Sequence, residues 1–516
     1  MPVSLRPASG EPVALATLGA LFAVPTPEPG PLVSGVTHAS DEVLPGDLYA
    51  ALPGSRRHGA EFIGQAAAAG AVAVLTDPAG AAAAAAAGLP ALIVDDPRAV
   101  LGLVADQIYG EPSRDLVLIG ITGTAGKTST AYLIEAGLRA GGHVTGIIGT
   151  VETRLGDLRV VSKRTTPEAT DLHALLAVAR ESGVTAVVME VSSHALALGR
   201  VGGVRFAVAG WTNFGLDHLD FHASTEEYFA AKASLFDGRA RAEVLNLDDP
   251  ALTALIKPTT ITYSASGDTS AIWYAQGISG GYDQKFTAYG PGSVSVRAGV
   301  ALAGRHNVAN ALLALASLTA VGVDPQTAAD GVAACPGVPG RLERVPSPAN
   351  ARLDVVGVVD YAHKPDAIVA ALKALRELAD YRNGRLICVI GAGGDRDRGK
   401  RPIMGKAAAD GADLLIVTDD NPRTEDPAQI RAEVIAGVPD PADVVEIAGR
   451  RTAIDEAVRR ARPGDVIAVL GKGHETGQEV GGEVLPFDDR VELADALTAA
   501  ALADRANSDR GNEESA

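Results

Sequence analysis

Ile119-Gly120-Ile121-Thr122-Gly123-Thr124-Ala125-Gly126-Lys127-Thr128 is a glycine-rich turn between an apolar run, Leu116 to Ile121, and a helical run, Lys127 to Ala140. Strand, turn and helix in that order are what a nucleotide phosphate cradle needs. Gly123 and Gly126 allow backbone N–H groups to approach an anion, and the helix start adds its dipole. Lys127 supplies a cation and Thr128 a hydroxyl for Mg2+. The segment Gly123, Thr124, Ala125, Gly126, Lys127, Thr128, Ser129 is therefore expected to hold ATP. The strict pattern places a glycine five positions before Gly126, where this chain has Ile121, so the loop is a variant one. The competing reading is a plain glycine-rich turn with a surface lysine.

Outward from that loop, 516 residues exceed what one hydrophobic core supports, and domains of about 100 to 200 residues imply three. The first boundary is expected near Gly110-Glu111-Pro112-Ser113, directly before the loop strand. The second is expected near Pro336-Gly337-Val338-Pro339-Gly340, after a helical stretch from Val308 to Val321. The expected domains are 1–112, 113–340 and 341–503, followed by a polar, disordered tail over 504–516. The alanine run from Ala81 to Ala87 reads as an ordinary helix.

No window approaches the length of an apolar membrane span, and the N-terminus lacks a signal-peptide pattern, so a cytoplasmic chain without membrane insertion is expected. Cys335 and Cys388 form no CxxC pattern and read as ordinary buried thiols. A net charge of −18 argues against nucleic acid as a partner, so any anionic substrate must be held by local Lys and Arg.

Within the middle domain, short apolar runs end in polar residues. Ala186 to Val191 carries Glu190 and leads to Ser192-Ser193-His194; Phe206 to Trp211 leads to Asn213 and Asp217-His218. Open α/β sheets bind ligands at such strand ends. The helix from Thr170 to Arg180 alternates with these strands, predicting a mostly parallel, doubly wound sheet with the phosphate loop on its first strand. From Thr259 to Val300 the pattern is turn-rich and predicts a small antiparallel extension. Glu190 and His218 are candidate Mg2+ ligands.

The ordered set Thr-Gly-Thr-Ala-Gly-Lys-Thr at 122–128, Thr-Thr-Pro-Glu at 165–168, Glu-Val-Ser-Ser-His at 190–194 and Asp-His-Leu-Asp at 217–220 resembles the Mur ligase family. The match continues through His-Asn-Val-Ala-Asn at 306–310, Pro-Gly-Arg at 339–341, Asp-Tyr-Ala-His at 360–363, and the Asp-Asn-Pro-Arg and Gly-Lys-Gly-His-Glu segments of the last domain. The resemblance spans about residues 30 to 490. It implies an α/β fold of three domains: a smaller N-terminal α/β domain, a central P-loop-type ATP-binding domain with a mostly parallel sheet, and a C-terminal Rossmann-like domain. It also implies an amide ligase of peptidoglycan precursor synthesis that phosphorylates the carboxylate of a UDP-linked peptide and lets an amine displace the phosphate.

For individual residues the resemblance implies catalytic roles for Lys127, Glu190, His218 and Lys232. Thr128, Glu190, His218 and Lys232, the last as a CO2-derived carbamate (N6-carboxylysine), would serve two Mg2+ sites. Asn307, Asn310, Arg341, Asp360 and His363 would join the loop in contacting ATP. Ser40, Thr165, Thr166, Ser192 and Arg200 would hold the UDP-linked peptide. The chain departs from the family at His38-Ala39-Ser40-Asp41, where relatives often show Asp-Ser-Arg.

Arg396, Asp420, Asn421, Pro422, Arg423, Gly471 and Glu475 would hold the incoming amino acid. Arg423 suits the second carboxylate of diaminopimelate and Glu475 its second ammonium, and Asp-Asn-Pro-Arg accompanies diaminopimelate addition in the family. The expected substrates are thus ATP, UDP-N-acetylmuramoyl-L-alanyl-D-glutamate and diaminopimelate, with meso the expected isomer although the LL form presents the same charges. The chain is expected to act as a monomer. A lysine-adding homologue, the ligase of the next step, a folylpolyglutamate-synthetase-like ligase and an ATP-binding regulatory protein are the rival readings.

Overall fold

The chain is described by a computed structural model covering residues 6–513 except 55, 161, 163, 216, 219–220, 347–352 and 441–443. It folds as two compact units: Met1–Tyr274 with Ala288–Val296 and Ala309–Val332, and Ala275–Thr287 with Arg297–Val308 and Ala333–Ala516.

The first unit contains two main sheets besides the short pair Val13–Ala14 with Leu32–Val33. The N-terminal sheet sets Gly35–Thr37, Asp47–Ala51, Ala73–Thr76 and Ala91–Ile93 side by side, all parallel. In the larger sheet the central run is Thr145–Ile148, Ala186–Glu190, Val117–Thr122, Phe206–Trp211, Ala240–Asn246, Ile261–Ser264, all parallel, with Thr153–Leu155 and Leu158–Val160 added antiparallel beyond Thr145–Ile148. The loop strand Val117–Thr122 therefore lies inside the sheet, flanked on both sides. Ala186–Glu190 and Phe206–Trp211 are buried at every position, as expected of strands covered on both faces. Because the strands are parallel and in register, Thr122, Glu190 and Trp211 end at one edge.

The stretch after Thr259 joins the sheet by parallel pairing, Val244 opposite Ile261 and Tyr263 opposite Trp273, and then runs through three successive neighbouring strands, Trp273–Ser279, Asp283–Gly290 and Val294–Ala301, joined by short links. The link between Ser264 and Trp273 is not a tight hairpin. Asp248 accepts hydrogen bonds from the backbone N–H of Ala265 (2.7 Å) and Ser266 (3.1 Å), which turns the chain away before the next strand starts.

The two sheets of this unit share a helix. Ala169–Glu181 gives Ala169, Ala174 and Ala177 to the N-terminal core, with Leu48, Leu75 and Val104, and gives Leu172, Leu175 and Leu176 to the core beneath the loop strand. Arg180 then ties the chain between the two sheets, donating to the carbonyls of Tyr109 (3.1 Å) and Gly110 (2.9 Å).

The second unit carries a parallel sheet in the order Val356–Asp360, Val466–Leu470, Leu386–Ile390, Leu414–Val417, Val444–Glu446. Alternate residues of one strand serve opposite cores. Cys388 and Ile390 pack with Leu372, Leu375 and Met404, whereas Ile387 and Val389 pack with Ile454, Leu493 and Leu497. Helices thus cover both faces, the Rossmann-like arrangement. Both cysteines are buried free thiols.

The last helix runs Asp489–Glu513 and passes straight through the point where a disordered tail was expected to begin. The helix is anchored at its start by Leu493 and Leu497 in the core. At its start Asp489 pairs with Arg450 at 2.7 Å, both side chains fully buried. Asp489→Ala would strand a buried guanidinium and is expected to destabilise this unit by about 3–5 kcal/mol, read as an earlier denaturant midpoint.

Candidate active site

In the first unit the loop between strand and helix is held open by its glycines. Gly123 and Gly126 have φ of +141° and +85°. A Cβ on Gly123 would lie 1.9 Å from Thr212 Oγ1, and one on Gly126 2.7 Å from Asn310 Oδ1. Lys127 Nζ donates back to the carbonyls of Gly123 (2.8 Å) and Thr124 (3.1 Å), curling its cation over the loop. The far wall is Thr212 and Asn213. Asn213 accepts from Ala125 N–H (3.1 Å) and donates to the Ala125 carbonyl (3.0 Å), while Thr212 Oγ1 donates to the same carbonyl at 2.6 Å.

Next to the loop, Thr128 Oγ1 lies 3.0 Å from both oxygens of Glu190, which is almost fully buried. Thr150 completes the carboxylate shell through its N–H (2.8 Å) and hydroxyl (3.1 Å). Its hydroxyl also meets Thr165 Oγ1 at 3.0 Å. A hydroxyl and a carboxylate side by side are hard oxygen donors of the kind Mg2+ takes, with phosphate oxygens and water completing the shell. Among the described residues no three His, Cys, Asp or Glu side chains group closely enough to hold a metal alone.

Lys232 is the most unusual group present. It is 1% exposed, donates to the Gly123 carbonyl at 2.8 Å, and its Nζ lies 4.6 Å from the centre of the Tyr228 ring. Burial, reinforced by the nearby Lys127 cation, pulls its ammonium down to about 6. Tyr228 itself meets Thr124 Oγ1 at 3.1 Å. His218 stands at φ +54°, a conformation a non-glycine residue holds only when its surroundings impose it. Asp217 supplies that constraint, accepting from His218 N–H at 2.8 Å with its other oxygen 3.4 Å from Nε2. The His218 and His194 rings meet edge to face at 4.7 Å. Leu219 and Asp220 of the same motif lie outside the described residues.

The expected peptide-binding residues fall beside Glu190. Thr166 Oγ1 donates to the Glu190 carbonyl (2.9 Å) and accepts from Ser192 N–H (3.1 Å). Arg200 donates to the Thr166 carbonyl (3.2 Å) and pairs with Glu168 (2.8 Å), and burial lowers its pKa from the usual value. Ser40 lies instead in the N-terminal sheet region, where His38, Ser40, Asp41, Tyr49, Arg57 and Arg98 help line a pocket of about 320 Å3.

The second unit assembles the remaining candidates at the aligned ends of its strands. Asp360 is fully enclosed and accepts from Leu342 N–H (2.7 Å) and Ala362 N–H (2.8 Å); burial raises its pKa. The Arg341 guanidinium sits 5.1 Å from the Tyr361 ring centre, with the His363 and His474 rings at 4.5 and 5.2 Å from the same ring. Asn307 donates to the Ala303 carbonyl at 2.7 Å.

Asn421 and Glu475 bond each other at 2.9 Å. Arg423, at φ +53°, donates through Nε to Glu479 (2.9 Å) and through Nη1 to the Gly394 carbonyl (2.7 Å). Gly471, at φ +121°, leaves room for Asp420, since a Cβ there would lie 2.4 Å from Asp420 Oδ2. Pro422 turns against Gly394, where a Cβ would lie 1.9 Å from its carbonyl oxygen. Arg396 flanks the same turn, its Cγ 3.8 Å from where a Cβ on Gly393 would sit.

Three groups of consequence escaped the sequence reading: Thr150 and Thr212 in the first unit and Lys472 in the second. Each follows the end of a parallel strand, and that placement was the available signal.

Three family descriptions match the chain: the Mur ligase family catalytic domain over residues 32–109, the Mur ligase middle domain over 121–318, and the Mur ligase glutamate ligase domain over 340–473. A UDP-N-acetylmuramoyl-L-alanyl-D-glutamate--2,6-diaminopimelate ligase of Streptomyces avermitilis is 53% identical over 502 residues, covering 95% of this chain and 98% of that one. The protein of the same name from Corynebacterium glutamicum is 49% identical over 469 residues, 87% of this chain and 89% of that one. A solved structure of a ligase with that name superposes with a TM-score of 0.71 at 32% identity, covering 95% of this chain and 99% of that one. With these matches spread over the three largest of its sheets, the chain belongs to the Mur ligase family.

Proposed function

We propose that this chain is an ATP-dependent ligase that joins diaminopimelate to the D-Glu carboxylate of UDP-N-acetylmuramoyl-L-alanyl-D-glutamate in cytoplasmic peptidoglycan precursor synthesis. The observation that carries the reading is the Thr128–Glu190 pair beside a glycine loop capped by Lys127, supported by near-complete coverage of similarly named relatives. A carboxylate is a poor electrophile, so the reaction needs activation. One substrate carboxylate oxygen attacks the γ-phosphorus of ATP and ADP departs. The diaminopimelate amine then adds to the carbonyl carbon, loses a proton and expels phosphate, leaving the amide.

Each side chain has a defined task. Lys127 and the backbone N–H groups of 123–128 hold the phosphates and stabilise charge as it shifts between oxygens. Thr128 and Glu190 would hold Mg2+, with His218 serving a second ion; bound there, Mg2+ would screen the phosphate from the incoming carboxylate. Thr165, Thr166, Ser192 and Arg200 orient the UDP-linked peptide, and the pocket at Ser40 takes its uridine end. Asn307, Asn310, Arg341, Asp360 and His363 contact the nucleotide. Asn421, Arg423 and Glu475 select the amino acid, with Arg396, Asp420, Pro422 and Gly471 shaping their turn.

Lys232 is proposed to be carbamylated. Its amine, pulled down to about 6, is neutral at pH 7 and so able to attack CO2, whereas an ammonium there would repel Mg2+. Enzyme stripped of CO2 is expected to lose activity and to regain it with bicarbonate, with regain failing below pH about 6, where the amine is protonated. Lys232→Ala should remove both the activity and its bicarbonate response.

The deciding assay is phosphate release with ATP, Mg2+ and the UDP-dipeptide, comparing meso-diaminopimelate, LL-diaminopimelate and L-lysine, with product mass as the check. Release that depends on diaminopimelate is expected. Release with lysine alone would transfer the chain to the lysine-adding class, and release without the UDP-dipeptide would sink the reading.

A further inference from the structure

Lys472 has no part in the roles assigned above, yet it is fully buried and its ammonium is spent entirely inside the amino-acid site. Nζ donates to Asn421 Oδ1 (3.0 Å) and to Glu475 Oε2 (2.9 Å). Asn421 Oδ1 accepts a second hydrogen bond from Glu479 N–H at 2.9 Å. Two donors on that oxygen fix which end of the amide is which, so Nδ2 must face Glu475, where it donates to Oε2 at 2.9 Å. Glu475 Oε2 is therefore saturated by Lys472 and Asn421 together, and Oε1 is the oxygen left to accept from a ligand. The same chain of bonds reaches the other recognition group, because Glu479 accepts from Arg423 Nε.

We propose that Lys472 is a positioning residue for recognition of the distal head group of the amino acid substrate. It orients the Asn421 amide and pins one oxygen of Glu475 so that the other meets an ammonium, while Glu479 holds the arginine that meets the carboxylate. This inference rests on the diaminopimelate reading of the site. A fully buried lysine is costly unless its hydrogen bonds are made, so its place here is one of orientation rather than surface solubility.

The test is Lys472→Met, which keeps the length and removes the charge. A hydrogen bond to a charged group is worth enough that KM for diaminopimelate should rise roughly ten- to hundredfold while KM for ATP and for the UDP-dipeptide stays within about twofold. Discrimination against L-lysine should fall with it, and Lys472→Arg should restore part of both. Combined with Glu475→Gln, the loss should be much less than additive, because Lys472 acts through that carboxylate.

Unchanged KM for diaminopimelate in Lys472→Met, or an equal loss in all three substrates, overturns the proposal. If the methionine variant does not fold, Lys472→Gln, with a shorter neutral donor, is judged by the same split. A wild-type enzyme that fails to distinguish diaminopimelate from lysine would instead overturn the functional reading, and this inference with it.

Discussion

Lys127→Ala is expected to lower phosphate release by at least about 10^2- to 10^3-fold, the range set by removing one preorganised charge-stabilising donor, with a larger loss if the loop also relaxes. Relaxation is built into the geometry. Lys127 holds the carbonyls of Gly123 and Thr124, and the Gly123 carbonyl also receives Lys232. Removing the Lys127 ammonium, which shares an acceptor with the Lys232 amine, also relieves the repulsion that helps keep Lys232 neutral, since Lys127 is among the causes of its lowered pKa. The variant should thus bind CO2 less readily as well as transfer phosphate poorly. Steady-state phosphate release, followed with and without bicarbonate, measures both. Activity within tenfold of wild type would remove Lys127 from the chemistry.

Arg423→Lys is expected to raise KM for diaminopimelate by about ten- to hundredfold, the cost of losing charged hydrogen bonds, with ATP binding nearly unchanged. The arginine spends Nε on Glu479 and Nη1 on the Gly394 carbonyl, so its planar fork is already locked before a ligand arrives. A lysine has one nitrogen for all of these tasks. Its backbone would still have to sit at φ +53°, which Arg423 holds through its own N–H to the Glu479 carbonyl and its carbonyl to Gly481 N–H. Initial rates over a diaminopimelate series, with ATP saturating and then varied, separate the two effects. A matching rise in KM for ATP would mean that the substitution disturbs the whole turn.

Much of this architecture was visible in the chain because its strands are buried on both faces and so appear as unbroken apolar runs. Phe206–Trp211 begins and ends where the sequence places it, and so does the helix Lys127–Ala140. How the extension after Thr259 joins the sheet was not legible, because alternating residues with turn formers do not show that its first strand pairs in parallel; the link that follows is held by Asp248, a side chain from before the strand.

The candidate site divides in the same way. Residues inside recognisable motifs, such as Lys127, Glu190 and Arg423, were legible one at a time. Their supporting partners were not, since Thr150 reaches Glu190 and Thr212 reaches Ala125 only through strand order. Lys472 was quoted within its motif without a task, because its partner Asn421 belongs to a different strand end.

The helix Ala169–Glu181 has a consequence for anyone recombining such enzymes. Its alanine face is part of the N-terminal core and its leucine face part of the core under the phosphate loop. A chimera that exchanged the N-terminal segment by cutting near Pro112 would sever one of these cores from three of its own side chains. A successful graft must carry Ala169, Ala174 and Ala177 along with the donor segment, so the natural seam for exchange is a surface that crosses the chain three times, near Pro112 and at both ends of that helix.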